Sequence, residues 1–584
     1  MKNRKSATFT IEQMDEFHWG AILWADRYQH MHYLTDNGIK NYPFSGFNKI
    51  LAVDIDSEED VFEMTDEKSL DDFQDFYEKN NDWMFGCFSY DLKNDIENLV
   101  SENNDFHQFP KAQFFIPRHL FFFKDNQVTI YSSEKDPELI VQEVWRIRRF
   151  ADIDYDWKQT VLLDPLQIRT DKEEYIKNVN KIKENILEGD VYELNYCIEF
   201  FAERAYLEDT EVYKALNEVS PMPFSTFFKD RHYRTLICAS PERFLKKEGN
   251  KLISQPIKGT ARRGKTLEED EFLKNQLKNS EKERAENMMI VDLVRNDLAK
   301  ISETGSVNVH EMFGIYTFDQ LHQMISTVTS TIRPEIKFID IIKATFPMGS
   351  MTGAPKIKSM ELIEKYENFK RGLYSGASGY ITPDGDFDFN VIIRSIVFDL
   401  TKEKFSFQVG SAISYDSDPE HEYEECLLKA KAIKTVLEEK TAFELPSKML
   451  RKKNKTVNEL TKMLISLFFY FFILNYFINK TILIFNIKSF YIALAILISL
   501  LFFYWRFKKI EYWKSTRQNI WHNLFAQLLN GPPALLYLIG AAIFIGGGIV
   551  LGGFFTIYRL IFPEKPFDLD EANALYQKRM KNYK

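Results

Sequence analysis

The amino-acid composition changes abruptly at about residue 445, and this break constrains the fold more than any other feature. Before it, strand and helix patterns alternate with turns, whereas the segment after ELPSKMLRKKNK is dominated by Phe, Leu and Ile. A chain of 584 residues is also too long for a single hydrophobic core. We therefore expect a globular part over residues 1–442 and a separate hydrophobic tail over residues 443–584.

The tail contains three apolar stretches that predict transmembrane helices, at about 463–478, 489–505 and 534–558. The first two are short for a bilayer span of about 20 residues, whereas the third is long enough. Basic residues flank the first pair of stretches and place both flanks, with the globular part, in the cytoplasm. They are Lys448, Arg451, Lys452, Lys453 and Lys455 before, and Arg506, Lys508, Lys509, Lys514 and Arg517 after. Buried core helices, or an unrelated reading frame joined to the globular part, are the alternatives.

Charge and cysteine content argue against several classes of function. The net charge of −10, with no basic stripe among aromatic residues in the globular part, argues against nucleic-acid binding. The four cysteines are too far apart for a disulfide scaffold or a C-x-x-C metal site. The N-terminal MKNRKSATFTIEQMDEF lacks an apolar core of signal-peptide length. These features predict a protein of the reducing cytoplasm.

The globular part has an α+β pattern. Residues 1–165 contain short strands and turns, and we assign them to an N-terminal lobe. Residues 166–442 mix strands with helices and form a second domain. Within it, 171–190 has helical spacing and ends at Gly189, and 267–301 predicts one long helix.

Carboxylates recur at helical spacing in two segments of the second domain. Glu283 and Glu286 lie three residues apart in ERAENMMIVDL, and Glu422, Glu425 and Lys429 repeat the spacing in EHEYEECLLKA. Each pair alone is typical of a solvated helix face. If the two faces converge, four carboxylates need a cation, and Mg²⁺ prefers such oxygen ligands.

Two further segments are candidates for ligand binding. FPMGSMTGAPK places Thr352 and Gly353 just before a helix, where free backbone amides favour an anion, although such a segment is often only a turn. Arg394 interrupts the apolar strand NVIIRSIVF. A buried arginine is costly unless paired, so it needs a carboxylate from the protein or from a ligand.

Six motifs occur in the order found in the chorismate-utilising enzymes, and the chain therefore resembles that family. They are SPERF, PIKGTARRG, ERAENMMIVDLVRNDL, FPMGSMTGAPK, the interval from Tyr374 to Arg394, and SDPEHEYEECLLKA. The resemblance is dense over about 170–440 and loose over the N-terminal part. It implies a two-lobed sandwich of β-sheets with outer helices, which binds chorismate with Mg²⁺.

The resemblance also implies roles for individual residues. Glu286 and Glu425 would bind Mg²⁺ directly, while Glu283 and Glu422 would hold its waters. Arg394 and Tyr374 would bind the enolpyruvyl carboxylate of chorismate. The remaining substrate contacts would come from Lys429, Thr352, Gly353, and the backbone of Gly410 and Ser411.

The branch of the family depends on Lys258. Anthranilate synthases have alanine at this place, whereas aminodeoxychorismate synthases often have lysine. A neutral Lys258 amine would attack C2 of chorismate while Glu242 protonates the departing C4 hydroxyl. This role requires a setting that lowers the lysine pKa. A structural ammonium that pairs with a substrate carboxylate is the alternative.

Other positions favour the same branch. The lysine that activates water in isochorismate and salicylate synthases is replaced by Glu193, where glutamine is usual in ammonia-using relatives, and a histidine of anthranilate synthases is replaced by Gln323. The resemblance therefore predicts aminodeoxychorismate synthase component I, with ammonia from a separate glutamine amidotransferase. Anthranilate synthase component I and a membrane-tethered chorismate-binding protein are the alternatives.

Overall fold

The computed structural model describes residues 2–151, 161–162, 165–319 and 321–440. The hydrophobic tail, with the three stretches predicted to cross a membrane, lies outside the described residues. Within the described ranges, no helix is both long and apolar enough to span a bilayer.

The described residues form 24 strands and 11 α-helices. The strands are β1 Lys5–Thr10, β2 Met31–Thr35, β3 Lys49–Val53, β4 Val61–Glu63, β5 Met84–Phe88, β6 Ala112–Phe115, β7 His119–Lys124, β8 Gln127–Ser132, β9 Val161–Leu162, β10 Gln167–Ile168, β11 Glu193–Ala202, β12 Ala205–Tyr206, β13 Phe224–Lys229, β14 Arg234–Ser240, β15 Arg243–Glu248, β16 Lys251–Gln255, β17 Ile257–Arg262, β18 Asn308–Thr317, β19 Leu321–Thr331, β20 Gly353–Ala354, β21 Ala377–Ile381, β22 Phe387–Val391, β23 Ser395–Asp399 and β24 Lys404–Ile413. The helices are α1 Met14–Ala25, α2 Leu70–Asn80, α3 Lys93–Ile96, α4 Pro137–Ala151, α5 Lys172–Leu187, α6 Asp209–Val219, α7 Leu267–Asn279, α8 Glu281–Ala299, α9 Phe338–Thr345, α10 Lys356–Tyr366 and α11 Pro419–Lys440.

Most strands belong to two antiparallel sheets. The large sheet has the order β1-β8-β7-β3-β2-β13-β14-β23-β24-β11-β10, and β20 also pairs with β11. The second sheet has the order β17-β19-β16-β15-β22-β21-β5-β6-β4, and β18 also pairs with β19. Both sheets take strands from before and after residue 165, so the sequence boundary at that point does not separate the sheets.

The two sheets pack face to face, and helices cover their outer faces. Ile50 and Leu236 of the large sheet share one core with Phe85 and Ile325 of the second sheet. A second core lies between the large sheet and α1, α4, α5, α6 and α11, and a third lies between the second sheet and α2, α8 and α9. Because central strands such as β13 are covered on both faces, all six of its residues are buried. The predicted α+β sandwich with outer helices is confirmed.

The prediction of one long helix over residues 267–301 is wrong. Two helices, α7 and α8, meet at Ser280, whose backbone is extended and whose side chain accepts a hydrogen bond from the Glu283 amide. Ser280 is thus the N-cap of α8, because its hydroxyl satisfies an amide that lacks a partner within the helix. The predicted helix over 171–190 is confirmed as α5, with Gly189 just beyond it at φ +86°.

Candidate functional site

A β-bulge determines where Lys258 lies. The sequence places this lysine at the junction of a strand and a turn, but β17 continues through it as the edge strand of the second sheet. The pairing of β17 with β19 shifts between Ile257 and Thr260, and Gly259 within the bulge has φ +91°. A bulge redirects neighbouring side chains, and here the Lys258 side chain is 10% exposed.

Lys258 forms an ion pair with Glu193, the first residue of β11 in the large sheet. The Glu193 side chain is 1% exposed, so the contact joins the two sheets in a buried setting. Burial alone would lower the pKa of Lys258, but the carboxylates of Glu193, Glu286 and Glu242 outweigh burial and raise this pKa. The described residues around Lys258 therefore favour its ammonium form, whereas a nucleophilic role requires the neutral amine.

Glu242 lies in the short connection between β14 and β15. It is buried, and burial raises its pKa to about 7, while Ser350 and Lys258 oppose the shift. Its backbone carbonyl accepts a hydrogen bond from the Val391 amide, which ties the connection to the end of β22. A carboxyl group in this setting retains a proton near neutral pH and can act as an acid.

The two E-x-x-E faces converge. Glu283 and Glu286 lie in the first turns of α8, and Glu422 and Glu425 lie in the first turns of α11. We call these four residues the carboxylate cluster. Lys282 connects its halves, because its Nζ atom is 3.9 Å from Glu286 Oε1 and 3.5 Å from Glu422 Oε1.

Gly259 allows the carboxylate cluster to approach β17, the strand that carries Lys258. A Cβ atom at this position would lie 3.0 Å from Glu283 Oε2. Gly259 therefore provides both the left-handed backbone of the bulge and space for a carboxylate. The bulge that carries Lys258 can therefore lie close to α8.

The carboxylate cluster has the chemical character of a divalent-cation site. Burial raises the pKa of Glu286 to about 7, and burial likewise raises the pKa of Glu283. In the described part of the chain, the buried Oε1 atom of Glu286 has no hydrogen-bond partner. Hard oxygen donors that are desolvated and incompletely neutralised fit Mg²⁺.

Lys429 joins the other half of the cluster to β24. Its Nζ atom is 2.7 Å from Glu425 Oε1 and donates a 2.8 Å hydrogen bond to the Gly410 carbonyl. Burial alone would raise the pKa of Glu425, but the Lys429 ammonium lowers it. Ser411 is buried, and its hydroxyl lies 2.9 Å from the Tyr175 hydroxyl. Glu425, Lys429 and Gly410 are thus brought together as one group.

The GSMTG segment supports the strand that carries Glu193. The Thr352 hydroxyl donates to the carbonyls of Met348 and Gly349, and the Thr352 carbonyl accepts from the Asn195 amide. Gly353 has φ +150°, and a Cβ atom there would lie 2.1 Å from the Glu193 carbonyl oxygen. Only glycine lets β20 approach β11 this closely.

Among the described residues, no hydrogen bond or ion pair joins Arg394 or Tyr374 to the carboxylate cluster. Burial lowers the pKa of Arg394 to about 10, and its Nη1 atom lies 3.4 Å from Met222 Sδ. Arg394 forms no ion pair with any described carboxylate, so the protein partner considered from the sequence is not found there. Tyr374 is 5% exposed, and burial raises the pKa of its hydroxyl.

Two site residues were missed from the sequence. Lys282 precedes Glu283 and lies four residues before Glu286, so helical spacing could have identified it. His421 was also missed: one of its ring nitrogens lies within 4.8 Å of carboxylate oxygens of both Glu422 and Glu425. A histidine on an exposed first helical turn gives no sequence signal of its own.

Comparison with known proteins identifies the family. A family profile described as chorismate binding enzyme matches residues 21–435. The chain belongs to the chorismate-binding enzyme family. It is 34% identical to aminodeoxychorismate synthase component 1 of Bacillus subtilis (strain 168) over 370 residues, which covers 60% of this chain and 76% of that protein. The identification of the family from the six motifs is confirmed.

Two further comparisons support the family assignment. The chain is 42% identical over 274 residues to a probable chloroplastic aminodeoxychorismate synthase of Oryza sativa subsp. japonica, covering 47% of this chain and 30% of that protein. The chain thus spans about a third of the length of this relative. The crystal structure of anthranilate synthase component I from Streptococcus pneumoniae TIGR4 matches with a TM-score of 0.56 and 26% identity, over 68% of this chain and 93% of that one.

Proposed function

We propose that the chain converts chorismate and ammonia to 4-amino-4-deoxychorismate, the reaction of aminodeoxychorismate synthase component I, which leads to 4-aminobenzoate and folate. The observation that carries the proposal is Lys258, held in a buried site near Glu242. Lysine at this position resembles the aminodeoxychorismate branch, and curated relatives in bacteria and plants have that name.

In the proposed reaction, Lys258 acts as the nucleophile and Glu242 acts as the general acid. The neutral amine of Lys258 attacks C2 of chorismate, and the C4–O bond breaks as the ring double bonds shift. Glu242, whose pKa burial raises to about 7, gives its proton to the departing hydroxyl, which leaves as water. Ammonia then adds at C4, and the electron pair of the C2–N bond returns to the lysine.

The other predicted residues would orient the substrate. Arg394, which has no partner carboxylate among the described residues, would bind the enolpyruvyl carboxylate together with Tyr374. Lys429 and the backbone of Gly410 and Ser411 would hold substrate oxygens. Thr352 and Gly353 would contribute by fixing the edge of the pocket, because they hold β20 against β11.

The carboxylate cluster would hold Mg²⁺. The direct ligands would be Glu286 and Glu425, with Glu283 and Glu422 holding its waters. This assignment is supported by the buried Oε1 atom of Glu286, which has no hydrogen-bond partner among the described residues. When bound, the ion supplies positive charge that binds and polarises a substrate carboxylate. Ammonia would come from a glutamine amidotransferase partner.

A product assay tests the proposed reaction. We expect purified protein with chorismate, Mg²⁺ and ammonium to form a product that an added aminodeoxychorismate lyase converts to 4-aminobenzoate. Fluorescent anthranilate formed without the lyase would contradict the proposal and favour anthranilate synthase component I, the activity named for the matched streptococcal structure.

Replacing Lys258 tests its covalent role. Lys258→Ala should abolish product formation, whereas Lys247→Ala, which removes a lysine paired with Asp386 at 3.2 Å, should not. Product formation by Lys258→Ala at the wild-type rate would exclude the lysine as nucleophile. The two variants separate the loss of this amine from the loss of a partly exposed, ion-paired lysine elsewhere in the protein.

A further inference from the structure

The ion pair between Lys258 and Glu193 raises a question that the proposed reaction leaves open. A nucleophilic amine must be neutral, yet Lys258 lies among carboxylates that keep it protonated. These are Glu193 on β11, Glu242 before β15, Glu283 and Glu286 on α8, and Glu425 on α11. Loss of the lysine proton to solvent is therefore unfavourable at neutral pH, and the proton needs a nearby acceptor.

We propose that Glu193 is this acceptor, and that Lys258 and Glu193 act as a pair that shares one proton. Glu193 Oε1 contacts Lys258 Nζ, while its other oxygen is buried and has no hydrogen-bond partner in the described ranges. The inference rests on the proposed function, since it concerns the same lysine and the same substrate.

The position of Glu193 suits this task better than that of the other carboxylates. Glu242 is assigned to the C4 hydroxyl, and it already holds a proton near neutral pH because burial raises its pKa to about 7. Glu286 belongs to the carboxylate cluster. Glu193 is the carboxylate that touches the lysine nitrogen, and the close approach of Gly353 to its backbone fixes its position.

Burial favours transfer of the proton within the pair. A neutral amine and a neutral carboxylic acid carry no charge, so water exclusion disfavours them less than it disfavours the ion pair. The pair contains the same number of protons before and after the transfer. The reactive amine is therefore reached without exchange with solvent, and its population does not depend on pH while the pair stays singly protonated.

Glu193 and Glu242 each regain their starting protonation state at the end of one turnover. Glu193 takes a proton from the Lys258 ammonium, and the amine forms its bond to C2 while Glu242 protonates the departing hydroxyl. Ammonia adds at C4 as the C2–N bond breaks, which leaves a neutral lysine and an ammonium group on the product. Glu242 takes the extra proton from that group, and Glu193 returns its proton to Lys258.

The test compares Glu193→Gln with Glu193→Asp and a matched control. Glutamine is the residue usual at this place in ammonia-using relatives by resemblance, so the variant should fold. The control is Glu199→Gln, which changes another buried carboxylate of β11 that pairs with Arg169 at 2.6 Å. Circular dichroism and thermal melting check that all variants fold.

The first measurement needs no substrate. Competitive acetylation followed by peptide mass spectrometry gives the reactivity of Lys258 as a function of pH. In Glu193→Gln, Lys258 should react at least tenfold faster at pH 9 than in the wild type, with Glu193→Asp and Glu199→Gln close to the wild type. Equal reactivity in Glu193→Gln and the wild type would overturn the proposal.

The second measurement follows the first half of the reaction, which needs no ammonia. Rapid quenching and intact-mass spectrometry report the adduct of chorismate, less water, on Lys258. Between pH 6 and 7 the rate of adduct formation should fall less than twofold in the wild type, as Glu242 loses its proton, and should rise about fivefold in Glu193→Gln, where the gain in neutral lysine exceeds that loss. A profile in Glu193→Gln as flat as that of the wild type would show that Glu193 does not accept the proton.

Failure of this inference can be told apart from failure of the proposed function. If the wild type forms no aminodeoxychorismate in the lyase-coupled assay, the proposed function fails, and the pairing of Lys258 with Glu193 is still judged by acetylation. If the wild type forms the product and Glu193→Gln has the same pH profile, the proposed function stands and the role of Glu193 is wrong.

Discussion

The two ends of the site balance their charges in different ways. At one end, Lys258 and Glu193 come from different sheets and neutralise each other in direct contact. At the other end, Lys282 lies 3.5 and 3.9 Å from two of the four carboxylates of the cluster, and Lys429 lies 2.7 Å from a third. Two ammonium groups do not neutralise four carboxylates.

This difference concerns the charge that each end of the site would take from a group outside the protein. At the lysine end the counter-charge of Lys258 comes from the protein itself, so the proposed reaction there requires the transfer of a proton. Burial raises the pKa of Glu286 to about 7 and thus disfavours its charged form, so the proposed Mg²⁺ would supply the charge that the cluster lacks. Arg394 is the opposite case, a cation that no described carboxylate neutralises.

The largest expected effect concerns Glu242, the proposed acid at the lysine end. Glu242→Gln should lower the rate of product formation by about 10²- to 10⁴-fold, since an amide cannot protonate the leaving hydroxyl. The wild-type rate should fall as pH rises through about 7, because the carboxyl loses the proton it must donate. Measurement at fixed free ammonia between pH 6 and 9 checks both effects.

The dependence of the rate on pH also provides a control and a result that would contradict the role of Glu242. In Glu242→Gln the decline near pH 7 should disappear from the residual activity, whereas Glu199→Gln should keep it. A decline that persists near pH 7 in Glu242→Gln would assign it to another group, such as Glu286.

The next largest effect concerns the cluster. Glu286→Gln should weaken Mg²⁺ binding by at least about a hundredfold, because changes to outer partners of metal ligands alone cost up to that much. Calorimetric titration of protein freed of metal with EDTA measures the affinity. Unchanged Mg²⁺ affinity would exclude Glu286 as a ligand.

Stability of the metal-free protein provides a second readout for Glu286→Gln. The folded-state pKa of Glu286 is raised, so at pH 8 its charged form opposes folding by roughly a few kcal/mol, since one pKa unit corresponds to about 1.4 kcal/mol. Removing the charge should raise the melting temperature at pH 8 and have little effect at pH 4, where the native carboxyl is protonated. A lower melting temperature at pH 8 would contradict the assigned burial cost.

The sequence was sufficient for relations that depend on local spacing. The E-x-x-E faces of Glu283 with Glu286 and of Glu422 with Glu425 could be recognised because a helix repeats every 3.6 residues. The sandwich and the family followed from motifs in order. The sequence was not sufficient where contacts between distant parts of the chain determine the structure. The bulge at Lys258 depends on the register of β17 with β19, which the spacing of residues along the sequence does not reveal.

The same limit explains why the raised pKa of Lys258 could not be recognised from the sequence. Glu193 was noted as a departure from glutamine, but its contact with Lys258 joins residues 65 positions apart through strands of different sheets. Helix patterns also failed at Ser280, because the residues on both sides favour a helix and the break depends on one side-chain cap.

A smaller effect is expected for Arg394, the cation without a described protein partner. Arg394→Ala should raise the KM for chorismate about 10- to 100-fold, since a hydrogen bond to a charged group contributes roughly 1.5–3 kcal/mol. The melting temperature should not fall, because no carboxylate is left unpaired. Steady-state kinetics and thermal melting measure the two quantities.

Arg371 provides the matched contrast for this prediction. Its guanidinium is buried and lies 2.6 Å from Glu367, so Arg371→Ala should destabilise the protein by about 3–5 kcal/mol. If Arg394→Ala instead lowers the melting temperature and leaves KM unchanged, Arg394 has a structural partner and does not bind the substrate.

The smallest expected effect concerns Lys282, which lies between the halves of the cluster. Its ammonium carries part of the charge that an added cation would supply, so Lys282→Ala should tighten Mg²⁺ binding. The side chain is 48% exposed, and exposed ion pairs contribute only about 0.2–1 kcal/mol, which corresponds to a change in Kd of at most about fivefold. Calorimetric titration of Lys282→Ala beside Lys282→Arg, which keeps the charge, measures this change. Weaker Mg²⁺ binding in the alanine variant would mean that Lys282 supports the metal-bound cluster, and the cluster would then resemble the lysine end in containing its own counter-charge.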